Sequence, residues 1–467
     1  MRDSRKKVEL AALAVFLIAG AAILTNGFSG RIFAQEQDRF EQVAPLAEAI
    51  AHILNDYVYE PDVDHIVEFG LSGIMQALDR NSSYITSDGF DAMRDDTEGA
   101  FDGIGVHIRP DEQNRIVVFQ PMPGSPAAKA GMMSGDILVE IDGVTTEGMG
   151  IDEAARRIKG PRGQKVQITV LRPRGEGQEP ETVEFNVERG TIPLESVVEA
   201  RIFTGKIGYI RVSDFKKTTA NEVRDRLKEF KDGEMSSLIL DLRWNPGGLL
   251  SASREVSELF LPRGSLVTYT RGRKNTDGSF KDEMRLRTER RPVVPEEMPL
   301  ILLVGGTTAS SAEIVTGALQ FHQRAIVVGE KTFGKGSVQT IIPMERPEGS
   351  ALRLTTALYY TPADVTIDHV GIRPDVEVVM TDDSQKALLT QLGKSWLEDA
   401  TKKDEQNHGP ITGAEIAEGE VDDAVLARAV EIIKEGGAWS ALLERYHRDV
   451  HETQVAAVEG QEGLVPR

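Results

Sequence analysis

The chain has no cysteine among its 467 residues. That excludes disulfides, thiolate metal sites and a cysteine nucleophile; a cysteine-free chain fits an oxidising compartment. A basic excess is also missing. Lys and Arg number 54 against 74 Asp and Glu, a net charge of −20. Nucleic-acid binding needs a basic footprint, so that class is set aside, and the acidic balance is read as solubility. The apolar run near the start, Leu10 to Leu24, has 15 residues, short of the roughly 20 that span a bilayer. Histidine is scarce, at eight residues, and none sits among catalytic-looking neighbours.

What is present begins at the N-terminus. Arg2, Arg5, Lys6 and Lys7 precede the apolar run LAALAVFLIAGAAIL. A positive flank followed by an apolar run is an export signal. Residues 1–34 are therefore read as a signal peptide or a membrane anchor. Ala34 stands where cleavage would follow, but Ile32 is bulky for an A-x-A-like site. Either way the positive-inside bias leaves the rest outside the cytoplasm, in the periplasm or cell envelope.

The length suits two to four domains. Residues 35–98 read as helical. Apolar residues at Phe40, Val43, Ala47, Ile50, Leu54 and Tyr57 make a helical stripe, which either packs on its own domain or pairs with another chain as a short coiled coil. Ile66 to Ile85 reads as a second helix and a loop. From 191 the pattern is α/β. SSLILDLRWNPGG (Ser236–Gly248), PLILLVGGTTASSAEIVTGALQ and AIVVGE (Ala325–Glu330) give strand, turn and helix in alternation, which implies parallel pairing. Arg271 to Arg291 is polar and reads as a hairpin excursion. Thr401 to Glu420 reads as a flexible linker. The stripe Trp439, Leu442, Leu443 and Tyr446 marks a terminal helical unit that packs rather than acts.

Residues 99–190 form a separate unit of short strands. FDGIGVHI (Phe101–Ile108) is a glycine loop feeding a strand, and GSPAAKAGMMSGDILVEIDGV (Gly124–Val144) gives a short helix, a turn and a strand ending at Asp142-Gly143. This pattern resembles a PDZ domain. The resemblance implies that the loop Gly103, Ile104, Gly105 and Val106 binds a peptide's terminal carboxylate through backbone N–H groups, the peptide adding as a strand. The alternative is a PDZ domain that only packs on its neighbour.

Three further stretches carry chemistry. Ser310-Ser311-Ala312-Glu313 fits S-x-x-E, the helix capping box, and by itself demands nothing more. A serine nucleophile needs a base. His322 lies twelve residues along the same helix, roughly 18 Å away, too far to serve. In KTFGKGSVQTI (Lys331–Ile341), period two along a strand puts Lys335 and Gln339 on one face. A lysine is a base only when neutral, so burial must lower its pKa, and a neighbouring amide holds the amine without adding charge. The alternative is a glycine-rich surface loop with a solvated lysine. In NPGG (Asn245–Gly248) the glycines suit backbone N–H groups aimed at an anion, with the Ser311 N–H as a second donor.

The order PDZ, DLRWNPGG, TTASSAEIVTGALQ, GEKTFGKGSVQ resembles the C-terminal processing, or tail-specific, serine proteases of peptidase family S41, from about residue 40 to 380. LDRNSSYI, LTTALYYTP and GIRPDV also match. The resemblance implies a mixed α/β fold: a ClpP/crotonase-like protease core at 191–380 with an inserted PDZ domain, and helical N- and C-terminal segments, the last at 381–467. It implies a serine endopeptidase acting on protein C-termini. Ser310 falls on the nucleophile, Lys335 on the base, Gln339 on its supporting glutamine, and Gly247, Gly248 and Ser311 on the oxyanion hole. No metal or cofactor is implied. The partners implied are protein or peptide substrates with accessible C-termini, a homo-oligomer and a substrate-delivering adaptor; nucleic acid is not among them. Thr308, Ser311 and Ala312 depart from the family's S-A-S-A-S-E-I, which leaves Ser311 as a rival nucleophile. A catalytically silent PDZ scaffold and a Ser-Lys amidase of cell-wall material are the competing functions.

Overall fold

The computed structural model describes residues 30–174, 178–403, 411–414 and 423–447. The apolar run Leu10–Leu24 lies outside the described residues. Among the described residues no helix is long and apolar enough to cross a membrane.

The N-terminal unit is helical over most of its described residues, 30–74. Helix α1 (Gly30–Asp56) carries the expected stripe and α2 begins at Val63 and ends at Gln76. Val43, Leu46, Ile50, Ile53 and Leu54 are exposed on α1, so the stripe does not pack within its own unit.

The second unit holds the segment that resembles a PDZ domain and the α/β core. After β1 (Ser83–Ile85) and α3 (Ser87–Glu98), the PDZ segment runs β2 (Ala100–Gly103), β3 (Val106–Pro110), β4 (Ile116–Pro121), α4 (Pro126–Lys129), β5 (Ile137–Ile141), β6 (Val144–Thr145), α5 (Ile151–Ile158), β7 (Lys165–Arg172), β8 (Glu181–Glu188) and β9 (Gly190–Pro193). The sheet order is β3-β4-β5-β7-β8, with β6 on β5. Strand β3 is thus an edge, with α5 packed beside it. Alternate residues of β7, Val166, Ile168 and Val170, point into this domain's core.

The core continues with β10 (Val197–Phe203), β11 (Ile207–Val212), α6 (Thr219–Asp232), β12 (Ser237–Asp241), α7 (Leu250–Ser257), β13 (Leu266–Gly272), β14 (Met284–Arg287), β15 (Leu300–Val304), α8 (Ser311–Phe321), β16 (Ile326–Gly329), β17 (Ser337–Pro343), β18 (Ala351–Tyr360), β19 (Val376–Glu377), α9 (Asp382–Lys403), β20 (Ile411–Ala414), α10 (Ala424–Lys434) and α11 (Trp439–Tyr446). Its main sheet has the order β19-β16-β15-β12-β11-β10-β20, and β11, β12, β15, β16 and β19 are parallel. Period two explains why the runs LIL and LILLV are apolar throughout. Leu238, Leu240, Leu300 and Leu302 face one core with residues of α6, α7 and α8. Ile239, Ile301 and Leu303 face another with residues of α10 and α11. Strands covered on both faces read as continuous hydrophobic runs. Trp439 and Leu442 are buried in that second core, the packing role expected of their stripe.

Two expectations need correction. The stretch read as a flexible linker contains the end of α9 and the strand β20, which pairs in parallel with β10; its polar composition hid a strand held by the sheet edge. Lys335 is not on a strand, because β17 starts at Ser337, and a bulge separates Val338 from Gln339. The period-two argument that paired Lys335 with Gln339 therefore fails. The loop is held out of the strand by its glycines: a Cβ on Gly336 would meet the Asp368 backbone N at 2.4 Å. The hairpin excursion is present as β13–β14, antiparallel and joined to β18.

The C-terminal helices are tied behind the sheet by charge. Arg243, only 4% exposed, donates to Asp241 and to both oxygens of Asp423, each Asp423 bond 2.7 Å long. Asp423 also caps α10, accepting from the Leu426 N–H. Removing one partner of a buried ion pair leaves a charge uncompensated. Asp423→Ala is expected to lower stability by about 3 kcal/mol, measured by urea unfolding.

Candidate active site

Three turns leave the C-terminal ends of adjacent parallel strands. NPGG follows β12, TTASS follows β15, and KTFGKG follows β16. Parallel strands put all three turns at one end of the sheet, where ligand sites of open α/β sheets form. Direct bonds stitch them together. The Ala309 N–H donates to the Asn245 carbonyl at 2.9 Å, and the Phe333 N–H to the Thr308 carbonyl at 3.0 Å.

Ser310 is the N-cap of α8, with φ 55° and ψ −119°. Positive φ is unfavourable for any residue with a Cβ, costing of order 1–3 kcal/mol. The surroundings enforce it, and the sharp turn leaves the serine half-buried at the head of the helix. A serine on a strained strand-to-helix turn has the backbone arrangement of a nucleophile elbow.

Glu313 ties this turn to the lysine loop. Its side chain is fully buried. Oε2 accepts from the Ser310 N–H at 2.9 Å and the Lys335 N–H at 2.8 Å. Oε1 accepts from the Gly334 N–H at 2.7 Å and the Thr332 hydroxyl at 2.5 Å. One oxygen holds both backbones, so they lie no farther apart than two hydrogen-bond lengths. The glutamate half of the capping box is therefore present, but its larger effect is to join the Ser310 turn to the Lys335 loop. Burial pushes the Glu313 carboxyl above its usual range, and its donors oppose that shift.

Lys335 is half-buried. Desolvation lowers its pKa, and the positive charge of Arg353 lowers it further, while Glu313 raises it. The net shift is downward, so burial and Arg353 outweigh the glutamate. Among the described residues no hydrogen bond joins Ser310 Oγ to Lys335 Nζ. The Gln339 amide donates to Ser337 Oγ at 2.9 Å and to Thr355 Oγ1 at 3.3 Å, and not to Lys335. Loop LDRNSSY lies on the same network: Asn81 Nδ2 donates to Ser337 Oγ at 3.0 Å, and Asp79 accepts from Ser82 and Thr355.

The glycine turn separates into two roles. The Gly247 N–H donates to Asn245 Oδ1 at 2.8 Å and is occupied. The N–H groups of Gly248 and Ser311 have no acceptor among the described residues. A Cβ on Gly247 would meet Ser310 Cβ at 2.6 Å, so the turn lies against the serine. The Ser311 hydroxyl is buried and donates to the Gly248 carbonyl at 2.9 Å, which fixes Gly248 and disfavours Ser311 as the rival nucleophile. The PDZ loop is organised the same way. The Ile104 and Gly105 carbonyls accept from Ala127 N–H and Ser125 Oγ, while their own N–H groups have no acceptor among the described residues. Sequence reasoning missed the bridging role of Glu313 and the anchoring role of Asn245, although both stand inside the quoted motifs.

Because Ser310 adopts positive φ, a glycine there relieves strain that an alanine keeps. Ser310→Gly is expected to be more stable than Ser310→Ala by about 1 kcal/mol in thermal unfolding.

Residues 206–378 match the family model of peptidase family S41, and residues 117–172 match a PDZ domain. The chain is 34% identical over 435 residues to the carboxy-terminal-processing protease of Bartonella bacilliformis, covering 92% of this chain and 96% of that one. It is 32% identical over 377 residues to a carboxy-terminal processing protease of Bacillus subtilis, covering 80% and 76%. A solved photosystem II D1 C-terminal processing protease aligns with 26% identity and TM-score 0.38, over 72% of this chain and 87% of that one. The chain therefore belongs to peptidase family S41, as a PDZ-containing serine protease of the carboxy-terminal-processing kind.

Proposed function

We propose that the protein is an exported serine endopeptidase that cleaves with a Ser310–Lys335 dyad and takes its substrates by their C-termini. The observation that carries this reading is the single Glu313 oxygen that accepts from both the Ser310 and Lys335 backbones. Neutral Lys335 takes the Ser310 proton. Oγ attacks the peptide carbonyl, and the Gly248 and Ser311 N–H groups hold the oxyanion. The amine leaves with the proton, and water, activated by the same lysine, releases the acyl group. Apo hydrogen bonds of this kind are often long and tighten only around substrate. Support by Gln339 then requires its amide to turn from Ser337 toward the amine.

The depressed lysine pKa fits the base role. Lysine ordinarily titrates near about 10.4, so a lowered value leaves more free amine at neutral pH. The edge strand β3, the neighbouring α5 and the unpaired N–H groups of Ile104 and Gly105 fit an added peptide strand ending in a carboxylate. Helix α3 lies where such binding would be felt: Asp88 and Asp95 pair with Arg156 at 2.9 Å and Lys159 at 3.1 Å, beside the PDZ helix, and Asp96 approaches Lys216 of the core at 3.5 Å. The basic N-terminal flank and apolar run support export to the periplasm or envelope.

With casein as substrate, Ser310→Ala and Lys335→Ala are expected to abolish cleavage, whereas Ser311→Ala, which keeps the backbone donor, only reduces it. Equal activity in all variants would favour the scaffold. Cleavage should rise with pH as Lys335 loses its proton, with a midpoint below the ordinary lysine value, and fall at lower pH as the amine becomes charged. A peptide with a free C-terminus should bind the PDZ domain, measured by fluorescence anisotropy, and its C-terminal amide should bind at least tenfold more weakly, since roughly one charge-assisted contact is lost.

A further inference from the structure

Tyr359 belongs to β18, and its N–H donates to the Gly336 carbonyl at 2.8 Å, next to Lys335. The residue is 2% exposed and packs in the main core. Its hydroxyl is fully buried and has no hydrogen-bond partner among the described residues. A buried hydroxyl left unpaired is costly, and phenylalanine would fill the same space without that cost. The polar groups that act on the phenol are the Glu313 carboxylate and the Ser310 hydroxyl, and the strand that carries it is bonded to the loop of Lys335. Burial, reinforced by the charge of Glu313, holds the phenol far above its usual range; it stays protonated and can only donate to an anionic neighbour.

We propose that Tyr359 is a further catalytic residue, whose O–H donates a hydrogen bond to Ser310 Oγ while that oxygen carries developing negative charge. The inference rests on Ser310 being the nucleophile. In acylation the Oγ proton passes to Lys335 Nζ, the Oγ–C bond forms, and the C–N bond breaks as the amine takes that proton. In deacylation a water gives a proton to Lys335 Nζ as its oxygen bonds to the carbonyl carbon, the Oγ–C bond breaks, and Oγ recovers that proton from Lys335. Tyr359 keeps its own proton in both steps and stabilises Oγ before attack and as it leaves. At rest Ser310 is neutral, which accounts for a donor that is near but unengaged.

Tyr359→Phe removes only the donor. A hydrogen bond to a charged group is worth about tenfold to a hundredfold in rate. The variant is expected to lose that factor in kcat on casein and in the rate of labelling by a fluorophosphonate, which reacts at Ser310 without needing the PDZ domain. KM should stay near wild type, and the thermal midpoint should be unchanged or higher. Unchanged kcat and labelling would overturn the proposal, as would an activity loss that merely tracks a lower thermal midpoint. Should Tyr359→Phe fold poorly, 3-fluorotyrosine at position 359 decides: it makes the phenol more acidic in the same shape, and a rate identical to wild type in the folded protein overturns the proposal. Ser310→Ala is measured alongside. If it keeps activity, the nucleophile reading itself fails; if it is inactive while Tyr359→Phe is unaffected, only the role of Tyr359 falls.

Discussion

The candidate site depends on one buried carboxylate. Glu313 is a carboxyl group buried in the protein interior, and such a group survives only when its lone pairs are met by donors. Three backbone N–H groups and a threonine hydroxyl meet them. Those donors come from the two turns that carry Ser310 and Lys335, so satisfying the carboxylate and assembling the site are the same event. The arrangement has an electrostatic cost. A negative charge favours the protonated amine of Lys335, whereas burial and the positive charge of Arg353 favour the neutral one, and the net shift is downward.

Around that carboxylate the sheet supplies direction and the small residues supply closeness. Adjacent parallel strands end at one edge and deliver three sequence-distant turns to it. Asn245 then spends its side chain on Val212 and Gly247, and its carbonyl on Ala309. With Gly247 occupied in this way, Gly248 is the glycine whose N–H keeps no acceptor among the described residues, and the Ser311 hydroxyl braces it from the helix side. Adjacent serines thus divide the work: one hydroxyl is at the open end of the helix, the other is consumed in structure.

Much of this was legible in the residues. Apolar runs bounded by glycine turns marked β12, β15 and β16, and the alternation of strand and helix marked their parallel pairing. The PDZ segment was readable from its turns, including Asp142-Gly143, where both residues adopt positive φ. The failures have physical causes. Lys335 looked like a strand residue because small and polar residues alternate there, yet Gly334 and Gly336 pack on the Asp368–Gly371 backbone and hold the loop off the strand. Glu313 looked like a simple cap because its local partner is three residues away, whereas its other partners come from the loop after β16, which no periodicity reveals. Tyr359 stood inside LTTALYYTP without its own role being visible: its neighbours are set by the pairing of β18 with the loop and strand that follow Lys335. Ile411–Ala414 was lost among polar neighbours because a strand added at a sheet edge can be held by main-chain bonds.

The hairpin β13–β14 lies in sequence between the glycine turn and the serine turn, but it is not part of the sheet that positions them. It belongs to the second sheet, against β18. Chain length in that region is consequently decoupled from the placement of Ser310 and Lys335: residues can be gained or lost at the hairpin tip while β12 and β15 stay neighbours. The tip between Gly272 and Met284 is thus where chain can be added without displacing the turns that carry Ser310 and Lys335.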